Sequence, residues 1–547
     1  MSRHLLLIGI NARYTHSNLA IRYLREIISE LNFSTNIAEY SINQPTWEIM
    51  QNIYRRQPQV IAFSVYIWNA ELIRQLIPDL KKILPDCRLI VGGPEVSYNA
   101  AEWLHTLPEI DFLIKGHGEA GFRFLAENDF IWQEREIFQP NPPFSELPFP
   151  YSEADFPALE HKYIYYESSR GCSFRCSYCL SSRSDQKLEF RNLEQVKSEL
   201  EWLLARQPKI IKFVDRTFNI KVDFAREIWR FLIEKETATK FHFEIHPELL
   251  DEADFEILQN CPAERFQFEI GIQSTSPRTL QEIHRSQNWE KIRSNLAKLK
   301  NIGTIHLHTD LIAGLPFEGR QNLIESFNDI ISLSADHFQL GFLKVLPGTE
   351  MYEKSAEYRL LFQQHPPYRI LANKWLSADD LLEFSRIEKL VDLLINSEKF
   401  QITSARLISN AATPFQFFRH LLHFADSQDF DPNQHDWQNV AKLLWEFVKI
   451  DDPQNSEFYL DCLRWDWCQI AAGHFYPAFL AGNETKEWKA EGFEKLKSKD
   501  EKVISSSQLN RTIFFRPHTA NFCRILKLNE SVYAFIPNDK NKMRLEI

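Results

Sequence analysis

Short apolar runs alternate with amphipathic stretches over the first 125 residues. Leu5–Ile10 is uniformly apolar and reads as a buried strand, and Leu19–Leu31 follows with helical periodicity. Val60–Val65 is a second apolar run, followed by a helical pattern over Ala70–Leu84. Leu89–Val91 runs into Gly92-Gly93-Pro94, and Asp111–Ile114 into Gly116-His117-Gly118-Glu119. Strands alternating with helices predict an α/β domain built on a parallel, doubly wound sheet. Ligands of such sheets bind beyond the carboxyl ends of the strands, where glycine lets a backbone approach closely.

Residues 138–152 hold five prolines. Each removes a donor and biases its predecessor to extended geometry, so 138–160 reads as a linker draped over a surface. A second alternating series then begins. Its strand candidates are Tyr163–Glu167, Ile210–Val214, Phe241–Ile245, Phe266–Ile272, Ile305–Ile312 and Phe338–Val345, separated by helical stretches such as Leu193–Leu204 and Phe224–Ile233. Six strand–helix units are too few for a closed eight-strand barrel and predict a partial, open one over 161–375. From 376 to 547 the pattern is mostly helical (Asp379–Asn396, Pro414–His423, Trp437–Val448), and Thr512–Arg516 with Val532–Ile536 predict a late β-hairpin.

The 547 residues are enough for three or four domains. Composition is ordinary for a globular chain, at 44% hydrophobic and 25% charged, and the net charge of −11 argues against a nucleic-acid partner, tRNA included. No apolar run reaches 18 residues, so no membrane span is expected. The apolar start breaks at Asn11 and Arg13 without a cleavage site, which predicts a first strand in a cytoplasmic protein and not a signal peptide.

The strongest chemical signal is Gly171-Cys172-Ser-Phe-Arg-Cys176-Ser-Tyr178-Cys179, just after an apolar strand. Three thiolates within eight residues can converge on one metal centre. Structural zinc wants four ligands, often as two separated pairs, and no second close pair follows. Three thiolates suit a [4Fe–4S] cluster with one iron left for a non-protein ligand, since the all-protein cluster takes four cysteines. Three unrelated cysteines, or zinc with a remote fourth ligand, are the rival readings.

This motif resembles the radical SAM (S-adenosylmethionine) superfamily. The resemblance implies that Cys172, Cys176 and Cys179 bind the cluster and that the Tyr178 loop contacts the SAM adenine. Asp310-Leu-Ile312-Ala-Gly314-Leu-Pro316-Phe-Glu318 resembles the superfamily's fifth-strand motif, with Ile312 packing the adenine and Gly314 permitting the turn. Leu343-Lys-Val-Leu-Pro347-Gly348-Thr349 resembles the sixth-strand segment of the group with cobalamin-dependent members. SAM would chelate the open iron and be cleaved reductively to methionine and a 5′-deoxyadenosyl radical. An external donor such as flavodoxin or ferredoxin would supply the electron. Glu244, Gln273 and Ser274 are candidates for the SAM ribose and methionyl groups, against ordinary core hydrogen bonding as the alternative. His306, His308 and Asp310 share one strand face, which reads as cavity lining in preference to a metal site.

The N-terminal region, 1–137, resembles the Rossmann-like cobalamin-binding domain fused ahead of many radical SAM enzymes. Ser64, Gly92, Gly93, Gly116 and Glu119 would cradle the corrinoid. Dinucleotide binding is the rival, but no Gly-x-Gly-x-x-Gly follows the first strand. Where related domains place Asp-x-His-x-x-Gly, this chain has Tyr14-Thr-His16-Ser-Asn18-Leu19, so His16 is not expected to ligate cobalt. Residues 376–547 resemble an uncharacterised extension of this group. The implied function is a radical SAM enzyme, cobalamin-dependent, that methylates or rearranges an unactivated carbon of an unidentified substrate. The alternatives are a radical enzyme whose cobalamin-type domain is structural, or a non-catalytic redox or corrinoid sensor. The intact set Cys172, Cys176, Cys179, Gly314 and Pro316 argues against the sensor.

Overall fold

Six parallel strands form the N-terminal sheet: β1 (Arg3–Asn11), β2 (Phe33–Ser41), β3 (Val60–Ser64), β4 (Arg88–Gly92), β5 (Phe112–Ile114) and β6 (Glu136–Ile137). This computed structural model describes residues 3–183, 187–433, 436–498, 505–537 and 542–547. The strand order is β2-β1-β3-β4-β5-β6, all parallel. β1 is apolar without a break because helices cover both faces of the sheet. Leu6, Ile8 and Ile10 join one core with Ile73, Leu76 and Leu80, while Leu5 and Leu7 join the other with Ile21, Phe122 and Leu125. β2 has no counterpart in the sequence expectations. It is an edge strand, with polar residues at half-exposed positions, so it lacks the apolar run of a central strand. The helix before it is also shorter than expected, Leu19–Ile27, because residues 28–32 make the turn that launches β2.

The proline-rich segment is tied down. Phe144 and Leu147 are buried against Tyr23, and the Tyr151 hydroxyl donates to the Tyr165 carbonyl at 2.6 Å. Arg25 pairs with Asp155 at 2.6 Å.

The second sheet begins with β7 (Ile164–Tyr166). A small antiparallel pair follows, β8 (Ser169–Arg170) with β9 (Glu189–Phe190). Then come β10 (Ile210–Phe213), β11 (Lys240–Glu244), β12 (Phe266–Gln273), β13 (His306–Ala313) and β14 (His337–Phe342). The order β14-β13-β12-β11-β10-β7 is that of an open six-strand barrel. Alternation divides its two faces. Phe213, Phe243 and Phe268 point to the helices, where Trp229 packs 5.6 Å from Phe268 and the Phe213 and Phe243 rings stack at 4.6 Å. Lys212, His242, Glu244, Glu269, His308 and Asp310 are the alternate, half-buried residues, and they line the lumen. A short antiparallel pair, β15 (Leu361–Phe362) and β16 (Ile370–Ala372), follows β14.

The chain divides into two compact units: residues 1–323 with 340–378, and 324–339 with 379–547. The second unit is helical over Pro414–Ser427, Trp437–Asp451 and Ser456–Ile470, among others. It takes in Phe327, which meets Phe415 and Phe418 at 5.7 and 5.8 Å. Buried carboxylates anchor its helices. Asp466 accepts from Ile402 N, Thr403 N and Thr403 Oγ1, and Asp461 from His518 N and Thr519 N. The two late strands pair antiparallel as expected, β17 (Ile513–Phe515) with β18 (Tyr533–Pro537), but they are not a tight hairpin. The helix Ala520–Leu526 lies between them in sequence, and β19 (Lys542–Glu546) adds a third strand beside β18. Trp465 closes this sheet against Phe515, Tyr533 and Phe535 at 5.1–5.9 Å, and Trp465 and Cys468 are both buried in the core.

Candidate functional site

The cysteine loop leaves β8 at the barrel mouth. Its root is fixed by Asp215 at the end of β10, which accepts from Ser168 Oγ, Ser169 Oγ and Ser168 N at 2.6, 2.5 and 3.1 Å. Burial pushes the Asp215 carboxyl up to about 6 although these donors favour its charged form. The far side of the loop is pinned through Ser177, whose N–H donates to Ile283 and whose carbonyl accepts from Met351 N. Cys176 is buried, and Cys172 and Cys179 are half-buried. Among the described residues no three His, Cys, Asp or Glu side chains could hold a single metal ion.

Arg285 was not anticipated. It follows the short helix Pro277–Glu282 and brings Nη1 to 3.7 Å from Cys176 Sγ, while Nη2 donates to the Gly271 carbonyl. This places a positive charge beside the Cys176 sulfur. Tyr178 lies beside Arg285 and Cys176, and burial pushes its hydroxyl well above the ordinary range. Phe174, between the first two cysteines, stacks on His246 at 5.0 Å. Burial holds the His246 imidazole down at about 3, so it is neutral.

The fourth and fifth strands carry the other expected residues. A bulge between Gly271 and Gln273 turns Gln273 to φ +71°, and its Oε1 is buried without a partner. Asp310 and Ile312 face the lumen on alternate positions of β13. Glu244 ends β11, 3.7 Å from Arg216, and burial pushes it up to about 7. Ser274 is buried: its hydroxyl donates to Glu318 at 2.5 Å and accepts from Ser276 N at 3.1 Å, which ties the end of β12 to the fifth-strand motif. Gly314, within the fifth-strand motif, directly follows β13 at φ +97°.

In the N-terminal sheet the strand order reverses direction between β1 and β3, and the loops after them open the crevice. Buried Asn69 holds the two together by donating to the carbonyls of Ile10 and Ser64 at 2.9 and 3.0 Å. Ser64 is buried and accepts from Asn18 at 3.3 Å. Tyr66 and Trp68 stack at 4.3 Å on the same rim. Gly93 adopts φ 118°, ψ 175°, a region essentially reserved for glycine, and a Cβ there would lie 2.5 Å from the Val65 carbonyl oxygen. Gly92 has ordinary backbone geometry and space around it. Gly116 donates its N–H to Ser97 Oγ at 3.2 Å. Glu119 is buried with Oε1 2.9 Å from Arg170 Nη1 and Oε2 2.8 Å from Asn141 Nδ2, so both oxygens are engaged within the protein. His16 Nδ1 lies 2.6 Å from the Tyr165 hydroxyl, which fastens the ring to the barrel wall.

A doubly wound domain with open glycine strand ends is joined to a six-strand barrel with a Cys-x3-Cys-x2-Cys loop at its mouth, the arrangement of radical SAM proteins that carry a corrinoid-type domain. The family models agree with that class: "Radical SAM superfamily" matches residues 166–330, "B12 binding domain" residues 5–126, and "Protein of unknown function (DUF4080)" residues 356–530. Residues 166–330 thus match the radical SAM superfamily, and residues 5–126 match a B12-binding domain. It is 24% identical over 344 residues to the 2-(S-pantetheinyl)-carbapenam-3-carboxylate methyltransferase of Streptantibioticus cattleyicolor, covering 55% of this chain and 50% of that one. It is 22% identical over 351 residues to the cobalamin-dependent radical SAM methyltransferase TokK of Streptomyces tokunonensis, covering 56% and 50%. The chain spans about half the length of these curated relatives. Its fold is similar to the cobalamin-dependent S-adenosylmethionine radical enzyme OxsB, with a TM-score of 0.60 at 15% identity over 85% of this chain and 79% of that one. A [4Fe–4S] cluster, SAM and cobalamin are the cofactors these domains imply. No helix of the described residues is long and apolar enough to cross a membrane.

Proposed function

We propose that this protein is a cobalamin-dependent radical SAM enzyme, cytoplasmic and fed electrons by a flavodoxin or ferredoxin, that methylates or rearranges an unactivated carbon of a small molecule. One observation carries the reading. Arg170, two residues before Cys172, pairs with Glu119 of the β5 loop at 2.9 Å and with Glu167 at 2.8 Å, so the cysteine loop and the glycine cradle are bolted together.

When bound, the cluster and SAM supply one-electron reductive cleavage, and the corrinoid supplies a methyl carrier. The chain's own residues hold and orient these groups. Cys172, Cys176 and Cys179 would ligate the cluster, Arg285 would offset thiolate charge, and Tyr178, Gln273 and Ile312 would line the nucleoside side. Asp310 and Glu244 present polar groups at lumen level. Ser64, Gly92, Gly93 and Gly116 edge the corrinoid crevice. His16, bonded to Tyr165, would be held against the barrel wall and would not serve as a ligand.

Anaerobic reconstitution with iron, sulfide, hydroxocobalamin, SAM and strong reductant tests the reading. The expected products are 5′-deoxyadenosine without added substrate, and S-adenosylhomocysteine once a methyl acceptor is present. Neither product, with cluster and corrinoid both bound, would leave the sensor reading standing.

The cradle has a sharper test. Gly92→Trp is expected to lower retention of hydroxocobalamin through gel filtration at least tenfold with the melting temperature unchanged, because a Cβ there meets nothing nearer than Ile114 O at 3.6 Å. Gly93→Ala is expected to lower the melting temperature itself, since the obstacle is the Val65 backbone. His16→Ala should leave the bound corrinoid's spectrum unaltered. Full corrinoid retention by Gly92→Trp would move the site elsewhere.

A further inference from the structure

The lumen is polar along its length, but its charges are not equivalent. Glu269 Oε2 lies 2.9 Å from His242 Nε2, Asp310 Oδ1 lies 3.1 Å from His308 Nε2, and Glu244 faces Arg216 at 3.7 Å. Against its burial, the hydrogen bond from His242 and the nearby His308 and Lys212 hold Glu269 down at about 2. Each carboxylate thus has a nitrogen partner.

Lys212 has none. It lies in β10 between Ile211 and Phe213, both of which are buried toward the helices, so its side chain enters the lumen. The ammonium sits 5.2 Å from the centre of the Tyr163 ring. No carboxylate of the described residues comes within ion-pair distance, and Glu269 and Glu244 act on it only at range. Burial outweighs that attraction and lowers its pKa. A half-buried ammonium facing a polar cavity without a counter-ion is an anion site.

We propose that Lys212 anchors the anionic head group, carboxylate or phosphate, of the substrate. This deepens the reading of the barrel as the reaction chamber and rests on it. The strand register sets the reach. Lys212 pairs laterally with His242, His242 with Gln267, and Gln267 with His306. Asp310 stands four residues further along β13, about 13 Å at the usual rise per residue. A small acid held at Lys212 therefore extends up the lumen and presents a carbon remote from its head group near the fifth-strand motif. An amine is disfavoured, because the carboxylates that would receive it are occupied.

The test uses the full-length protein, reconstituted with cluster and hydroxocobalamin but without SAM, so that it reads binding and not turnover. A brief acetic anhydride pulse is followed by peptide mass spectrometry, with exposed Lys82 and Lys298 as controls. Hexanoate or hexyl phosphate is expected to lower acetylation of Lys212 at least fivefold, and whichever acid does so names the head group. Hexanol and hexylamine should leave it unchanged. By equilibrium dialysis, Lys212→Met should weaken binding of the protecting acid at least tenfold and Lys212→Arg less than threefold. Protection by neither acid, equal protection by hexanol, or a Lys212 that never acetylates while Lys82 does would overturn the proposal. Should Lys212→Met not fold, the labelling on the unmodified protein decides alone. Failure of SAM cleavage would instead strike the radical reading and leave this result untouched.

Discussion

Replacing Cys172, Cys176 and Cys179 together by alanine is expected to take anaerobically purified protein from about four irons per chain, the count of one [4Fe–4S] cluster, to none. SAM cleavage should fall below detection with it. The measurement is iron and sulfide content together with 5′-deoxyadenosine formation under strong reductant. The control is internal. Cys87 is buried in the N-terminal domain and Cys523 in the C-terminal unit, so Cys87→Ala and Cys523→Ala should retain the full iron content. The loop should survive the loss of its ligands, because it is pinned at both sides by backbone and Asp215 contacts that the thiols do not make. Arg285 supplies a graded companion. With the guanidinium removed, Cys176 loses its nearby positive charge, and Arg285→Met should bind the cluster but lose it faster in air. Stoichiometric zinc in place of iron in anaerobic protein would show the centre to be structural and remove the basis of the proposed chemistry.

How much of this was legible in the sequence follows from what one-dimensional patterns encode. The cysteine spacing is a local property, and it alone put the three thiols on one loop. The buried strands were legible because both faces of each sheet demand apolar residues or strict alternation, as in Leu5–Ile10 and Phe266–Gln273. β2 was not, since an edge strand of mixed polarity has no such signature. Side-chain partnerships across hundreds of residues leave no periodic trace. Glu119 reads as a cradle residue by its place after two glycines, and nothing in that place shows its pairing with Arg170. Ser274 reads as ligand-facing by its place at a strand end, and nothing in that place shows its bond to Glu318, 44 residues on. Arg285 and Lys212 are single basic residues in ordinary surroundings. Only the register, which aims one at Cys176 and the other into the lumen, singles them out. The late strands were found, yet the intervening helix and β19 were not, because a helix of seven residues between strands is too short to show a clear period.

Gly314→Val is expected to suppress SAM cleavage by two orders of magnitude or more while the iron content stays at its full value. Two causes act at the same atom. The backbone at φ +97° is one that a side chain costs roughly 1–3 kcal/mol to hold. A Cβ built there lies 2.7 Å from Cγ2 of Ile370 in β16, well inside contact distance. The turn cannot move away freely, because Asn373 Nδ2 donates to the Gly314 carbonyl at 2.9 Å and Ile370 N to Leu343 O at 2.9 Å. The strain must therefore pass back into β13, shifting Ile312 and Asp310 on the lumen face. The cysteine loop makes none of these contacts, which is why the cluster should remain. The two causes can be separated. Ile370→Ala removes the clash but not the backbone strain, so Gly314→Ala combined with Ile370→Ala should recover part of the cleavage that Gly314→Ala loses. Both variants are to be compared by iron content, by SAM affinity in equilibrium dialysis, and by the rate of 5′-deoxyadenosine formation. Undiminished SAM binding and cleavage in Gly314→Val would show that the fifth-strand turn lies outside the SAM site, and the assignment of Ile312 and Asp310 to that site would fall with it.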